Sequence, residues 1–450
     1  MFAASSRRQF FVSFSVLLLS TTHVWAQTVS DPNINVSVLA NGFSQPTGMA
    51  FLGSNPNDFF VIEKASGLVR RWNSGTTSNV LTLPVDTNSE RGIIGITLDP
   101  QFNGSRPYAY VYYSQQVSGS WAENRLSRFT WTGSAFNPAS EVRLLGFPSD
   151  GAQANGPNHN GGPIKFGADG LLYGTTGDLN RNRAEQNQGA ASSSSQVGGI
   201  YRYDTSVVQA NGTIVGDPFA TNPFRSNANT SFHPWVAYGV RNSFGIVQDK
   251  STGTMWYTEN GPSQYDEINR LTVGMNSGWN KVMGPISRTG VLLNQLVDLG
   301  ASSTYTDPAF SWLTTIGVTS MEFLNGSQWG PTYNNSVLVG DNNTGRLYRF
   351  KLNGTRNGFD FTGLTGVADL VADNATEVNQ FVFGSGFSVI TDIQVGPDGA
   401  VYIMNLGSGN ILRLVSVPEP QVIIAMVAMT GMAGIVWYRR SRKPLDVQID

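Results

Sequence analysis

The stretch FGADGLLY, residues 166–173, places an Asp-Gly pair between two short apolar runs. Nearly the same sequence, VGPDGAVY, returns at residues 395–402. Asp-Gly between apolar runs is the strongest short-range signal for a β-hairpin. The chain is therefore predicted to contain the same type of hairpin twice, once in each half. Repetition of a small β-unit becomes the first hypothesis about its fold.

Six units along the chain share a weak common plan around these hairpins. Each has a Gly-rich strand, an apolar strand and a closing strand in which Arg stands between apolar residues. The closing strands are residues 67–72, 124–129, 199–203, 268–271, 345–350 and 409–414. All-β units at intervals of roughly 40 to 75 residues are typical of propeller blades. The sequence predicts an all-β fold, a six-bladed β-propeller of four-stranded blades, with functional residues in loops around a central channel.

The composition agrees with such a fold and excludes one class of partner. Only 13% of residues are charged, against about 25% in typical soluble domains. Glycine supplies 50 of 450 residues, which suits a chain with many tight turns. The chain has no cysteine, so a large core must stabilise the body without disulfides. A formal net charge of −2 offers no basic face for nucleic acid.

The first 26 residues have the features of a secretory signal peptide. Arg7 and Arg8 precede the apolar run 10–19, and Val24-Trp25-Ala26 offers small side chains at the positions that a signal peptidase reads. The stretch 6–11 also approximates a twin-arginine signal, which would mean export after folding. The export route stays open between the two, but both predict an exported protein.

The C-terminal segment 417–450 resembles a PEP-CTERM sorting signal. Pro418-Glu419-Pro420 is followed by the uncharged stretch Val422–Tyr438 and a basic cluster at residues 439–443. At about 1.5 Å per residue, the stretch reaches roughly 25 Å as a helix, enough to span a bilayer. The basic cluster predicts its cytoplasmic end. The alternative, a buried core helix, is disfavoured because nothing follows that would pack on it.

This resemblance implies an exosortase as a partner, a transmembrane helix before processing, and release or reattachment after cleavage. The predicted location is the cell envelope or the extracellular matrix. The body between the two end segments is residues 27–416.

Five motifs in the body point to one enzyme family. They are ERGIIG at 90–95, HNGG at 159–162 with Gly177-Asp178, YGVRN at 238–242, ENGP at 259–262, and DEIN at 266–269 leading to Gly278-Trp279. From about residue 38 to 415, the chain resembles the soluble aldose, glucose and sorbosone dehydrogenases that depend on pyrroloquinoline quinone (PQQ). The resemblance implies hydride transfer from the C1 hydroxyl of an aldose to PQQ, with Ca²⁺ as the second cofactor.

The resemblance assigns roles to individual residues. His159 matches the general base, a role that suits imidazole because it titrates near neutrality, and Asp178 matches the carboxylate that orients its ring. Arg241 and Asn242 match the pair that binds the quinone carbonyl and stabilises its developing charge. Read without the family, His159 is an ordinary loop residue and Arg241 a surface charge.

Further cofactor contacts follow from the same comparison. Gly261 and Pro262 match residues whose backbone carbonyls hold Ca²⁺, a hard cation that prefers oxygen ligands. Without the family they would be an ordinary Gly-Pro turn. Asn260, Glu90 and Asn343 are expected at the cofactor. The sequence predicts that one mouth of the channel is lined by Glu90, His159, Asp178, Arg241, Asn260 and Asn343.

Four positions depart from the family's pattern. The family's Lys and two Arg that bind the acidic quinone are replaced by Asn343, Val389 and Thr391, and Glu90 stands where the family has Gln. Each charged hydrogen bond contributes about 1.5 to 3 kcal/mol, so the free energy of PQQ binding would weaken by roughly 5 to 9 kcal/mol if these losses add. Arg346 is a possible replacement, although its pattern places it in a closing strand. A second function therefore stays open, a non-redox propeller that binds carbohydrate or protein at the envelope.

Other polar residues are assigned no chemistry. Glu259, Asp266 and Glu267 suggest a carboxylate metal site, but Asp266-Glu267 before an apolar strand is typical of a solvated turn. Ser192–Ser195 is expected to be a flexible loop, because no nucleophile-elbow motif surrounds it. His233, beside Pro234, is expected to be a structural turn residue.

Overall fold

The architecture is a closed ring of six β-sheets. A computed structural model describes residues 27–149, 156–181, 187, 197–207, 216–300, 304–325 and 329–416. The inner strands of successive sheets contact one another in sequence order, and the sixth contacts the first. The predicted all-β six-bladed propeller with four-stranded blades is confirmed.

The strands follow the chain around this ring. Two strands precede the first blade, β1 (Thr28–Val29) and β2 (Ile34–Ala40). Blade 1 is formed by β3 (Pro46–Phe51), β4 (Asp58–Glu63), β5 (Leu68–Asn73) and β6 (Thr76–Thr82). Blade 2 is formed by β7 (Ile93–Leu98), β8 (Tyr108–Val117), β9 (Ser120–Trp131) and β10 (Phe136–Pro148). Blade 3 is formed by β11 (Ile164–Phe166), β12 (Leu172–Thr176), β13 (Gly199–Asp204) and β15 (Trp235–Tyr238), with the short β14 (Asp217–Pro218) beside β13.

The second half repeats the plan. Blade 4 contains β16 (Gly245–Gln248), β17 (Met255–Glu259), β18 (Gln264–Arg270) and β20 (Phe310–Thr314). Two short parallel additions are β19 (Met275–Asn276) on blade 3 and β24 (Val371–Ala372) on blade 4. Blade 5 contains β21 (Val318–Leu324), β22 (Ser336–Asp341), β23 (Leu347–Lys351) and β25 (Val382–Ser385). Blade 6 contains β26 (Ile390–Val395), β27 (Val401–Asn405) and β28 (Asn410–Ser416).

Helical structure is slight in the described ranges. One short helix, α1 (Ala375–Asn379), begins after Asn374, whose side chain accepts two backbone N–H groups. Three-residue 3-10 turns occur at Thr230–Phe232, Ile286–Arg288 and Leu293–Gln295. In the part of the chain that the structure describes, no helix is long and apolar enough to cross a bilayer.

The two ends of the body close the ring. The fourth strand of blade 6 is β2, which pairs antiparallel with β28 from Ile34 opposite Ser416 to Ala40 opposite Ile411. The preceding strand, β1, pairs instead with the outer strand of blade 5. A propeller sealed in this way leaves no open sheet between its first and last blades.

The Asp-Gly hairpins lie where the sequence predicts. They join the first and second strands of blades 3 and 6, and Gly170 and Gly399 take φ of +77° and +75°, values that favour glycine. In both hairpins the Asp accepts the hydroxyl of the Tyr that follows, at 2.8 Å for Tyr173 and 3.0 Å for Tyr402.

The Arg-bearing strands are not the last strands of their blades. Each is the third strand of its sheet (β5, β9, β13, β18, β23 or β28), and an outer strand, β2 in the case of blade 6, pairs with it on its far side. Two of their Arg residues form ion pairs with Asp residues at the second strand of the blade or at the turn before it. Arg71 pairs with Asp58 in blade 1 and Arg413 with Asp398 in blade 6, both at 2.6 Å.

The core lies between neighbouring sheets. One cluster joins blades 4 and 5 around Trp256, Phe310, Trp312 and Phe350, all at most 1% exposed. Others lie between blades 1 and 2, 2 and 3, and 6 and 1. Aromatic packing of this extent explains how the body can be stable without disulfides.

Several predicted segments lie outside the described residues. They are the signal peptide at residues 1–26, the C-terminal segment 417–450, and Ser192–Ser195. The choice between the two export routes and the predicted transmembrane helix fall in the first two of these segments. His233 is described: it ends the 3-10 turn Thr230–Phe232, and its Nε2 lies 3.0 Å from the Asn227 carbonyl oxygen.

Candidate functional site

One end of the ring encloses a cavity of about 530 Å³, within the range of small-molecule sites. The N-terminal end of every inner strand reaches it, as do the loops that precede those strands and the loops between second and third strands. Its wall contains seven of the predicted residues: Glu90, His159, Arg241, Asn242, Asn260, Gly261 and Asn343. The prediction that Asp178 also lines this mouth is wrong, because Asp178 is not part of the wall and contacts His159, which is. Ring closure thus brings together loops from all parts of the chain.

His159 and Asp178 form a hydrogen-bonded pair. His159 Nδ1 lies 2.6 Å from Asp178 Oδ1, and the two side chains are 13% and 2% exposed. Asp178 Oδ2 accepts the indole N–H of Trp279 at 2.8 Å, and Asp178 Oδ1 also accepts the N–H of Asn180. An ionised Asp178 can only accept, so the tautomer that fits places the proton on Nδ1. This leaves Nε2 of His159 as a free lone pair, in a side chain that lines the cavity.

Glu90 holds the main chain around His159. Its Oε2 accepts the N–H of His159 at 2.6 Å and the N–H of Asn160 at 3.3 Å. The amide of Asn242 donates to the same oxygen at 3.2 Å. His159 takes φ of +64°, a left-handed conformation that is costly for a residue with a side chain. Glu90 therefore positions the His159 loop and Asn242 as well as facing the cavity.

Arg241 is fixed by carbonyl and carboxylate oxygens. Its Nη1 donates to the carbonyl of Asn260 at 3.0 Å and to that of Gly261 at 3.1 Å. Its main-chain N–H donates to Glu259, and its carbonyl accepts the N–H of Asp178. Burial lowers the pKa of Arg241, but the surrounding carboxylates oppose this shift, so the guanidinium remains a cation at neutral pH.

The wall contains buried polar atoms without partners in the described ranges. They are Asn158 Oδ1, Arg241 Nε, Asn260 Oδ1 and Thr319 Oγ1. Asn260 is oriented by its Nδ2, which donates to the Val318 carbonyl at 2.9 Å, so its Oδ1 is held in place without a donor. Buried polar atoms of this kind are rare and call for a bound partner.

The predicted metal ligands are only partly placed together. Gly261 lies in the cavity wall, and its carbonyl accepts a hydrogen bond from Arg241 Nη1. Pro262 is not part of the wall. Across the described ranges, no group of three or more His, Cys, Asp or Glu side chains is arranged to hold a metal ion.

The interpretation of Asp266-Glu267 as a solvated turn is wrong. Both lie in β18 and, like Glu259, are 0% exposed. Asp266 accepts the N–H groups of residues 316, 317 and 318 and, at 3.0 Å, that of Gly261. It therefore joins the Gly261 loop to the loop before blade 5. A charged pair looks solvated in sequence because backbone donors from a distant loop leave no local trace.

Two of these carboxyl groups interact closely. Glu259 and Glu267 stand opposite each other on β17 and β18. Burial, with Glu267 as a second cause, raises the pKa of Glu259 well above its usual value, and burial raises the pKa of Glu267 to about 7. Behind Arg241 the protein thus holds carboxyl groups that tend to be protonated.

Sequence reasoning missed two cations in the wall. Lys64 donates to the carbonyls of Ser89 at 2.7 Å and Arg91 at 3.3 Å, and Lys165 lies on the inner strand of blade 3. Lys165 lies three residues after the motif at 159–162 and belongs to no motif. Only its position on an inner strand could have indicated that it lines the cavity. Asn343, Val389 and Thr391 do line the cavity, whereas Arg346 does not and donates to Asn379.

The comparisons with known proteins agree with this architecture. The sequence model of the family described as "Glucose / Sorbosone dehydrogenase" matches residues 43–413. The chain is 24% identical over 415 residues to the aldose sugar dehydrogenase YliI of Escherichia coli, covering 90% of this chain and 98% of that protein. A glucose dehydrogenase described as a putative oxidoreductase, from Thermus thermophilus, superimposes with a TM-score of 0.63 at 25% identity, covering 85% of this chain and 100% of that one.

A further solved structure shows the shared fold. The PQQ-bound form of aldose sugar dehydrogenase from Streptomyces coelicolor has a TM-score of 0.59 at 21% identity, covering 87% of this chain and 99% of that one. The family match spans most of the propeller and all of the residues that meet at the cavity. This chain therefore belongs to the glucose/sorbosone dehydrogenase family.

Proposed function

We propose that this protein is a sugar dehydrogenase that oxidises the C1 hydroxyl of an aldose with PQQ as cofactor. The observation that carries the proposal is the hydrogen bond of 2.6 Å between His159 and Asp178, in which His159 lies on the wall of the cavity that Arg241 also lines. An imidazole with an oriented lone pair beside a buried cation is what proton removal coupled to hydride loss requires.

His159 acts as the general base in this proposal. Its Nε2 takes the proton of the C1 hydroxyl, and Asp178 stabilises the imidazolium that forms. Trp279 and Asn180 hold Asp178 in place, so the ring cannot turn its Nδ1 toward the substrate. Glu90 fixes the backbone from which the imidazole projects.

The residues of the cavity fit an acidic quinone. Arg241 and Asn242 would bind its reactive side, because Arg241 Nε is buried and unpartnered in the described chain. When bound, PQQ supplies the acceptor for the hydride released from C1. The two lysines of the wall, Lys64 and Lys165, provide positive charge that partly replaces the cations absent at Asn343, Val389 and Thr391.

Calcium would bind on the Asn260–Gly261 side of the cavity. The Gly261 carbonyl and the unpartnered Oδ1 of Asn260 are oxygen ligands of the type that Ca²⁺ prefers. Arg241 Nη1 would have to release the Gly261 carbonyl for this to happen. Pro262 contributes to this site only if its carbonyl turns toward the cavity.

A second function is favoured by a specific observation. Asn343, Val389 and Thr391 line the cavity without a charge, and Glu90 adds a negative one. A propeller with these substitutions would bind neutral carbohydrate, or another protein, at the envelope without redox chemistry.

The predictions for the two ends of the chain remain part of the proposal. Residues 1–26 would direct export, and residues 417–450 would hold the protein in the membrane until an exosortase acts on the tag. The catalytic body, residues 27–416, would then work at the envelope or in the extracellular matrix.

The experiment is a dye-reduction assay of the purified chain with PQQ, Ca²⁺ and a panel of aldoses, together with calorimetry of PQQ binding. Dye reduction that needs both PQQ and Ca²⁺ would support the dehydrogenase. If no PQQ binds at micromolar concentrations with Ca²⁺ present, the dehydrogenase proposal fails, and sugar binding without turnover would favour the second function.

A further inference from the structure

One of the two lysines in the cavity wall, Lys165, can be assigned a more specific role than the general positive charge described above. Lys165 is the middle residue of β11 and lines the cavity with His159 and Arg241. It stands on the inner strand of blade 3, on a different blade from Asn343 of blade 5 and Thr391 of blade 6. The family pattern predicts cofactor-binding cations on blades 5 and 6, whereas Lys165 provides a positive charge from blade 3.

The ammonium of Lys165 is available for a ligand. It makes no hydrogen bond and no ion pair with any residue that the structure describes. The other two cations of the wall are engaged, because Lys64 donates to the Ser89 carbonyl at 2.7 Å and Arg241 to the Asn260 carbonyl at 3.0 Å. A half-buried ammonium without a hydrogen-bond partner has lost part of its hydration, and a ligand that supplies an acceptor would replace that loss.

Two acidic side chains lie within electrostatic reach of Lys165 without using its N–H donors. The positive charge of Lys165 acts on Asp392 and Glu322, which lie on the inner strands of blades 6 and 5. Three donors already satisfy Asp392: the N–H of Met49 at 3.0 Å, Ser320 Oγ at 3.4 Å and Gln394 Nε2 at 2.6 Å. Lys165 is not among the donors to Asp392 in the described ranges, so its three N–H groups stay available to a ligand.

We propose that Lys165 binds a carboxylate of the acidic cofactor, so that blade 3 supplies counter-charge where blades 5 and 6 have lost it. The inference rests on the proposed function, since PQQ is the ligand that brings the carboxylates. A charge-assisted hydrogen bond between ammonium and carboxylate is among the stronger single contacts in a protein site.

Calorimetry of PQQ binding to the full chain, with Ca²⁺ in excess, tests the assignment. Lys165→Met is expected to raise the Kd about 10- to 100-fold, the loss of one charged hydrogen bond. Lys250→Met is the matched control: Lys250 also acts on Glu322, but it is exposed and not part of the cavity wall. The Kd of the Lys250→Met variant for PQQ is expected to stay within about twofold of that of the unmodified protein.

Two further variants keep the test decisive. Lys165→Gln preserves chain length and polarity, so it should lose affinity as Lys165→Met does even if the latter folds poorly. Lys165→Arg keeps the charge and should retain most of the affinity. An unchanged Kd for folded Lys165→Gln would overturn the Lys165 assignment alone. Absence of PQQ binding by the unmodified chain would overturn the proposed function, and this inference with it.

Discussion

The carboxylate of Glu90 and the main chain of His159 are joined by a hydrogen bond of 2.6 Å. It links the loop before blade 2 to the loop before blade 3, and it holds an imidazole whose backbone is left-handed. Glu90 thus controls the direction of His159 without touching its ring.

Glu90→Ala is expected to weaken both the fold and the site. The N–H groups of His159 and Asn160 and the amide of Asn242 would lose their acceptor, so the free energy of unfolding should fall by about 1.5 to 3 kcal/mol. Dye reduction should fall at least about tenfold, because the imidazole loses its fixed direction. Urea denaturation and the dye assay measure the two effects. Glu90→Gln keeps one acceptor and should lose less; equal losses for both variants would contradict the positioning role.

His159→Ala should abolish turnover but not cofactor binding. Removal of a general base typically costs about 10² to 10⁴ in rate, whereas His159 makes none of the contacts proposed for the quinone. The comparison of dye reduction with PQQ calorimetry on the same preparation checks this. Activity above about a tenth of the original would exclude His159 as the base.

Asp178→Asn should reduce turnover almost as strongly. The asparagine amide cannot accept from both His159 and Trp279, so the imidazole loses the tautomer that leaves Nε2 free, at a cost of about 10²-fold or more. Trp279→Phe removes one donor to Asp178 and leaves the carboxylate, so it should lose only a small part of the rate. A rate for Asp178→Asn as high as that for Trp279→Phe would contradict the orienting role.

Asn343→Lys should strengthen PQQ binding by about tenfold, because it adds a cation to the cavity wall. Asn357→Lys, an exposed position of the same blade outside the cavity, adds the same charge as a control. Calorimetry measures both. If the two variants bind alike, position 343 does not face the acidic cofactor, and the second function gains support.

Glu267 makes stability depend on pH. Its pKa is raised from 4.5 to about 7 by burial, so the folded protein keeps a proton that the unfolded chain releases. The resulting stabilisation is complete below about pH 4.5 and is lost as the pH rises to about 7. Glu267→Gln is always neutral, so its Tm should fall less between pH 5 and 8 than that of the unmodified protein. Parallel Tm profiles would show that Glu267 is ionised in the fold.

The sequence predicts the repeated part of this fold better than its edges. The Asp-Gly hairpins and the Arg-bearing strands are visible because they are local and recur. The outer strands share no motif, and for this reason the Arg-bearing strands look like blade ends. The pairing of β2 with β28 joins residues from opposite ends of the chain, and no local pattern encodes it.

The residues of the site also differ in whether a local sequence pattern reveals them. His159, Asp178 and Arg241 are found because they stand in recognisable motifs. Asp266 is misread because its partners are backbone N–H groups of residues 316–318, which any side chains could present. Lys165 is missed because a lone lysine in a short strand looks like a surface residue until ring closure turns that strand toward the axis.

The register of the sixth blade also sets the direction in which the chain leaves the body. Leu406, which follows β27, lines the cavity, and from there β28 runs away from it to Ser416, opposite Ile34. The C-terminal end of the body therefore leaves from the side facing away from the cavity. A membrane tether attached at Ser416 would place that side of the ring against the membrane, and the cavity would then open away from the membrane toward diffusing solutes.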